Sequence, residues 1–491
     1  MAGVRRAFLL TSLERYVVLG VNFGVIALVS RLLTPAEIGL AVLGTSLLAV
    51  AETLRDFGTG SYLIQRTDIR QEHVRTAFTV MAIVSAVIVA ILFASAGLLA
   101  AAYDEPRLEP FLRVIALGFL AGPFSAPILA LLRRDMKFSA VVLVNVASSL
   151  AGAAVTVGLV LLGQGYMSFA WGGLAWSVTS ALLAVAMQPD LSMFRFQLSD
   201  WRGALAFGGY NSATAIMNRV YEVLPYLALG QLQPAASVGL FNRALLLCQL
   251  PERSLLSGVM PVALPALAAE AREGRDLKIP YLRALGYITA VQWPALVTLA
   301  LLAHPAVSLL LGQQWLVIVP VVQLLCLAQL FAFPAPLTYP VLVSAGGLRD
   351  TLTTSLITLP PSVLILIFAA GFGIEAVALS MLVIVPMQVI VALQFVRRRV
   401  PFGWGEMGRA IAPSAVATAC AAVAPALVIA LRGFRPDMPL PLAVAAGLGS
   451  VGGWAAAMYL LRHPLSGEFR HVGEKLYRTL RAMPSTATKR P

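Results

Sequence analysis

The chain has 491 residues, of which 59% are hydrophobic and only 12% charged, with a formal net charge of +13. A soluble globular domain carries about 25% charged residues, so this composition excludes a soluble fold and marks an integral membrane protein. Apolar blocks of about 20 residues, the length of a spanning helix, recur along nearly the whole sequence, which means helices rather than barrel strands.

The polar connections between these blocks are short, so no large extramembrane catalytic or nucleotide-binding domain is expected. The excess positive charge sits in those short loops, the footprint of membrane topology and anionic lipid headgroups rather than of nucleic acid. Cys248, Cys326 and Cys420 are far apart in apolar blocks and read as small buried hydrophobes, not as a disulfide framework or a metal set. Arg5 and Arg6 precede an apolar stretch, but Glu14 and Arg15 interrupt it and no small-x-small site follows. A retained first helix is expected there, not a cleaved signal.

In chain order the sequence predicts fourteen spans, at about 8–33, 38–65, 76–102, 110–132, 139–163, 166–188, 203–230, 237–264, 281–303, 317–345, 351–371, 374–396, 410–431 and 440–461. Pro334, Pro336 and Pro340 interrupt the tenth. With the N-terminus inside, the inside loops collect Arg66, Arg70 and Arg75, then Arg133, Arg134 and Lys137, then Arg195 and Arg202, then Arg272, Arg275, Lys278 and Arg283, then Arg349, and last Arg397, Arg398, Arg399 and Arg409. The outside loops hold little beyond Arg107, Arg432 and Arg435. This bias predicts cytoplasmic N- and C-termini. Residues 465–483 are expected to form a basic amphipathic helix on the inner membrane surface, with Phe469, Val472, Leu476, Leu480 and Met483 on one face.

An internal repeat shows in "RLLTPAEIGL" (31–40) and "GQLQPAASVGL" (230–240). Leu33, Pro35, Gly39 and Leu40 match Leu232, Pro234, Gly239 and Leu240 at an offset of about 200 residues, or six spans. The parity is the same in both copies, so the repeat is parallel. The expected fold is an all-α integral membrane protein of about 14 helices. Residues 1–195 form an N-lobe of helices 1–6 and 196–400 a C-lobe of helices 7–12, around a central cavity. Residues 401–464 add two helices, and 465–491 form the tail.

Charges inside the spans are concentrated on spans 1, 2, 7 and 8, the first two helices of each lobe. They are Glu14, Arg15 and Arg31; Glu52, Arg55 and Asp56; Arg219 and Glu222; and Arg243, Glu252 and Arg253. Each charge near a span's middle costs roughly 2.5–3.5 kcal/mol against lipid, so they must face each other or a wet cavity. Helical spacing puts Glu52, Arg55 and Asp56 on one face, and Arg219 with Glu222 on another. Ion pairs joining the lobes and ligand contacts are both open for each residue. Asn22, Tyr210, Asn211, Asn218 and Gln249 lie on the same four spans as polar lining or as buried hydrogen-bonding groups. Pro225 and Pro251 interrupt spans 7 and 8 as hinges or as shapers of the cavity.

"SRLLTPAEIGLAVLG" with "LRDFGTGSYLIQR", and "GQLQPAASVGLFNRALLL" with "PVALPALA", resemble the hallmarks of polysaccharide-type flippases of the multidrug/oligosaccharidyl-lipid/polysaccharide exporter superfamily. The resemblance covers nearly the whole chain. It implies two six-helix bundles around a cavity lined by helices 1, 2, 7 and 8, and transfer of undecaprenyl-diphosphate-linked oligosaccharide from the cytoplasmic to the periplasmic leaflet of the bacterial inner membrane by alternating access. On that resemblance Arg15, Arg31, Arg55, Arg219, Arg243 and Arg253 would hold the diphosphate or acidic sugars. Arginine suits the task because its planar fork pairs bidentately with phosphate oxygens. Glu14, Glu52, Asp56, Glu222 and Glu252 would serve as counter-charges or in ion coupling. The near balance of six arginines and five acids departs from the strongly cationic cavities of many diphosphate carriers. Membrane lipids, a polysaccharide polymerase and export machinery are the implied partners.

No G-x-x-x-x-G-K-[ST] motif occurs, no cofactor or metal site is expected, and nothing reads as an enzyme. Gly447, Gly449 and Gly452 spell G-x-G-x-x-G inside the last span, where close helix packing is the better account. The alternatives are an ion-coupled drug or cation antiporter of the same superfamily and, more distantly, a saccharide polymerase or ligase.

Overall fold

The computed structural model describes residues 2–56, 63, 69–199, 201–253, 269–270, 273, 275–433, 435 and 437–465, with the side chains of 2–12, 56, 201–214 and 348 outside that description. The helices are α1 (Ala2–Leu32), α2 (Pro35–Asp56), α3 (Gln71–Ala102), α4 (Leu108–Leu117), α5 (Gly122–Arg134), α6 (Phe138–Leu161), α7 (Met167–Met187), α8 (Trp201–Leu232), α9 (Ala235–Pro251), α10 (Lys278–Leu301), α11 (Ala303–Leu310), α12 (Val319–Phe331), α13 (Ala335–Ser344), α14 (Leu348–Ala370), α15 (Ile374–Arg399), α16 (Trp404–Leu431) and α17 (Leu440–Leu460). The tail beyond 465, Tyr210, Asn211 and the Asp56 side chain lie outside the described residues.

Eleven helices among the described residues are long and apolar enough to cross a membrane, and α4 with α5, bent by 44°, make a twelfth. Helices α8 and α9 occupy the two remaining expected spans. The first carries Arg219 and Glu222, and the second is described for 17 residues. The expected tenth span is α12 with α13, a stretch long and apolar enough to cross as one despite its prolines. The chain is thus an all-helical multi-pass membrane protein.

Local chemistry explains the helix starts. Thr34 and Glu37 form a reciprocal cap on α2, with Glu37 Oε2 accepting from Thr34 N at 2.9 Å and Thr34 Oγ1 from Glu37 N at 3.3 Å. Pro35 then sits at the first helical position, where no amide donor is needed. Inside the apolar helices, hydroxyls satisfy themselves on the preceding turn, as Ser148 does on Val144 O (2.6 Å) and Thr156 on Gly152 O (2.8 Å). Helices approach closely at small residues. Gly449 packs α17 onto Ala424 of α16 and the neighbouring Gly453 packs onto Cys420, while Gly447 meets only Leu302 at 3.9 Å and Gly452 faces open space, so close packing accounts for one of the three expected glycines.

Contacts group the chain into two compact units. One comprises Met1–Leu247, Val307–Leu325 and Leu352–Ile384; the other comprises Cys248–Ala306, Cys326–Thr351 and Val385–Pro491. In the first, a segment following α7 is stapled to α3. Gln71 Nε2 donates to Asp190 (3.2 Å), Arg75 Nε to Ser192 O (2.9 Å), and Gln197 N to Thr79 Oγ1 (2.9 Å). In the second, Tyr281, Leu285, Leu337, Val341, Val396 and Phe402 build a core of α10, α13 and α15.

Candidate functional site

In the first unit the two copies of the repeat touch. A Cβ on Gly39 of α2 would collide with the backbone carbonyl of Ala235, and one on Gly239 of α9 with that of Pro35. Gly39 and Gly239 therefore let the starts of α2 and α9 cross backbone to backbone, symmetrically. Beside this crossing the end of α1 is clamped. Trp315 Nε1 and Gln314 Nε2 each donate to Ser30 O at 2.7 Å, Gln314 also reaches Leu33 O at 3.1 Å, and Arg31 donates to Leu309 O.

Arg243 lies beside this crossing, buried rather than facing open space. It is 4% exposed, donates Nη1 to Asn242 Oδ1 at 3.1 Å and lies 6.0 Å over the Trp315 ring. Its Nε has no hydrogen-bond partner among the described residues. Position explains the difference: Arg243 is only two turns into α9, at the level of the crossing, and its face turns to Trp315.

The central charges lie farther along. Glu52 is 17 residues, about 26 Å, from the start of α2, and Arg219 is 13 residues, about 20 Å, from the end of α8. Arg219 bridges two acids, Glu52 Oε2 on α2 at 3.6 Å and Glu222 Oε2 on its own helix at 3.0 Å. The pair Glu52–Arg219 thus joins a helix of the first repeat to one of the second. These side chains are open, with relative exposures of 51% for Glu52, 38% for Arg219 and 63% for Glu222. Asn218 beside them is exposed too. Arg55 turns elsewhere, 5.2 Å over the Phe119 ring, at the α4–α5 bend. A Cβ on Gly122 would come within 3.2 Å of its Nη1, so glycine there makes room for the guanidinium.

Glu14, Arg15 and Asn22 line a different groove, of about 710 Å³, with Asn145, Thr156 and Trp176 of α6 and α7. Asn145 Nδ2 donates to Glu14 Oε1 at 2.6 Å. The residue pattern placed these three with the helix-2, -7 and -8 charges; the structure turns that side of α1 to α6 instead. Asn145 was missed, and its only signal is a lone amide in the apolar run "VVLVNVASS".

In the second unit, Arg253 Nη2 donates to Gln249 Oε1 one turn back, at 2.7 Å, and Glu252 is exposed beside it. α8 runs unbroken past Pro225, and Pro251 stands at the junction of α9 with a π-helical Glu252 and Arg253. Cys248 and Cys326 are buried with sulfurs 3.5 Å apart. An apolar groove of about 790 Å³ runs between α10 and α17, lined by Tyr287, Pro294, Leu299, Val451 and Trp454. Among the described residues no cluster of side chains suits a metal ion.

An all-helical membrane fold with charged helices paired across a parallel repeat defines a class of multi-pass membrane protein, and comparison narrows it. Residues 28–320 match the family described as "Polysaccharide biosynthesis protein", and the chain belongs to that family. It is 25% identical over 325 residues to the lipopolysaccharide biosynthesis protein WzxC of Escherichia coli K12, covering 65% of each chain. It is 21% identical over 303 residues to the teichuronic acid biosynthesis protein TuaB of Bacillus subtilis 168, covering 61% of this chain and 63% of TuaB. It is 24% identical over 331 residues to the succinoglycan biosynthesis transport protein ExoT of Rhizobium meliloti 1021, covering 67% of this chain and 66% of ExoT. The match therefore spans just under two thirds of these relatives' own length. The fold is shared with lipid II flippase MurJ in an inward closed conformation (TM-score 0.72, 13% identity, 93% of this chain and 98% of that one). It is shared also with an inward-facing multidrug resistance MATE family transporter of the MOP superfamily (TM-score 0.64, 17% identity, 77% and 94%).

Proposed function

We propose that this chain is a flippase that moves undecaprenyl-diphosphate-linked oligosaccharide across the bacterial inner membrane by alternating access. The observation that carries this reading is the Glu52–Arg219–Glu222 constellation: open, charged, and shared by the two repeats, with Glu52 about 20 Å along α2 from Gly39. Charges at that depth are stable only against water or each other, and exposed ones imply water. The charge bias of the loops supports a periplasmic Gly39–Gly239 crossing and cytoplasmic termini. The chamber is then closed outward and reached from the cytoplasm. Residues 1–195 and 196–400 form the lobes that rock, with 401–464 appended.

In this reading Arg219 is the first arginine met by the diphosphate, and Glu52 and Glu222 hold it until the anion displaces them. Arg55, Arg253 and Arg15 are further arginines for the diphosphate or acidic sugars, with Glu14 a counter-charge to Arg15 and Glu252 a counter-charge or ion-coupling group. The polyprenyl chain stays in the bilayer. A polymerase and export machinery would receive the product. The names of the relatives, which include a transport protein for succinoglycan biosynthesis and a lipid II flippase, support the substrate class. An antiporter needs a committed acidic ion site. Glu14 is the one carboxylate in the 710 Å³ groove and has Arg15 beside it, which disfavours that reading.

The test is complementation in a host that lacks its own exporter for the polymer. Arg219→Ala should abolish export and leave the lipid-linked saccharide inside, with normal membrane levels of the protein. Normal export by this variant would remove the proposal.

A further inference from the structure

A second basic constellation lies outside the proposed translocation path, where α15 ends, α16 begins and α10 starts. Arg397, Arg398, Lys278, Gln394, Phe402 and Glu406 line an open pocket of about 670 Å³ there. Its floor is rigid, because Val400 and Phe402 are buried in the core of α10, α13 and α15. Arg397 is held in place by a bond from Nε to Phe402 O at 3.0 Å and by stacking 4.6 Å from the Trp404 ring and 5.9 Å from Phe402. That leaves its two terminal nitrogens as an oriented fork. Arg398 is exposed and lies 4.8 Å over Phe395.

The acids nearby are already engaged. Glu406 pairs with Lys278 at 2.7 Å and accepts Gly403 N at 2.7 Å, and Asp350 pairs with Arg399 at 2.8 Å. Among the described residues neither Arg397 nor Arg398 has an acidic partner. Two such arginines at a membrane surface, with exposed Trp404 stacked on one of them, match a phosphate oxyanion with attached acyl chains.

We infer that this pocket binds the phosphodiester headgroup of an anionic phospholipid, with Arg397 and Arg398 as its cationic ligands and Trp404 as its interfacial wall. The site does not depend on the flippase reading, since it uses none of the residues assigned to translocation. A free phosphate shares the oxyanion chemistry, so the test separates the two sources.

The full chain, purified in detergent, is titrated with phosphatidylglycerol, phosphatidylcholine or inorganic phosphate, and bound equivalents are resolved by native mass spectrometry. The wild type should bind the first phosphatidylglycerol about twentyfold more tightly than a variant with both Arg397→Gln and Arg398→Gln, on the scale of one charge contact each. Phosphatidylcholine should bind more weakly, and inorganic phosphate at equal concentration should not displace the lipid. Arg398→Gln alone, at an exposed position whose one ring contact is with Phe395, should loosen binding about fivefold with folding intact, the latter checked by an unchanged melting profile. Equal binding by wild type and Arg398→Gln, no preference over phosphatidylcholine, or displacement by inorganic phosphate would each overturn the assignment.

Discussion

Helix α2 opens at Thr34-Pro35 and α9 opens at Gln233-Pro234, and each brings a glycine, Gly39 or Gly239, against the backbone of the other helix. Around that common contact the two copies have diverged. Thr34 caps its own helix through Glu37, whereas Gln233 donates outward to the carbonyls of Ala370 and Gly371 at 3.2 Å, where α14 ends. Farther along, Arg55 docks on Phe119 while Arg253 folds back on Gln249. What stays the same is what the symmetric crossing needs sterically. What changes is how each lobe fastens its helix start and where it aims its arginine.

The largest expected effect separates chemistry from architecture. Arg219→Ala removes the cation that joins the repeats and should abolish export. Arg219→Lys keeps the charge but loses the fork, and should retain a measurable fraction of export. Polymer secretion normalised to membrane-inserted protein reads both. Next comes the crossing itself. Gly39→Val and Gly239→Val place a side chain where a carbonyl stands, so each should destabilise by about 1–3 kcal/mol and by similar amounts. Thermal inactivation of the purified variants checks this, and strongly unequal losses would break the symmetry argued for the two glycines. A smaller effect sharpens the divergence. Thr34→Ala should cost about 1 kcal/mol as a lost cap. Gln233→Ala should cost about 0.5–1.5 kcal/mol through lost carbonyl bonds. The glutamine's loss alone should free the end of α14, read as faster amide exchange near Phe372 and Gly373.

Much of this was legible in the residues. Apolar length set the spans, and the cost of charge in hydrocarbon singled out Glu52, Arg55, Asp56, Arg219, Glu222, Glu252 and Arg253 as groups that must face each other or water; it did not say that Glu52, Arg219 and Glu222 are the ones that meet. The repeat could be read from Pro35, Gly39, Pro234 and Gly239, though not that the two glycines meet. What sequence could not supply was helix rotation. Glu14, Arg15 and Asn22 share α1 with Arg31, yet they turn to Asn145 and the α6–α7 groove, and nothing in a single helix specifies that azimuth. Arg243 has the residue type and the helix of a ligand contact, but Trp315, some 70 positions away, covers it. The pocket at Arg397 and Arg398 was read only as part of a loop's positive charge, because its floor comes from α10 as well as from α15 and α16.

The account stands or falls on whether Glu222 and its neighbours line an aqueous chamber closed at the glycine crossing. Glu222→Cys in a background free of Cys248, Cys326 and Cys420 can be probed in oriented vesicles with a membrane-impermeant methanethiosulfonate. Rapid modification from the cytoplasmic face, with little from the periplasmic face, is the predicted result. No reaction from either aqueous side, with modification only by a lipid-soluble maleimide, would contradict it.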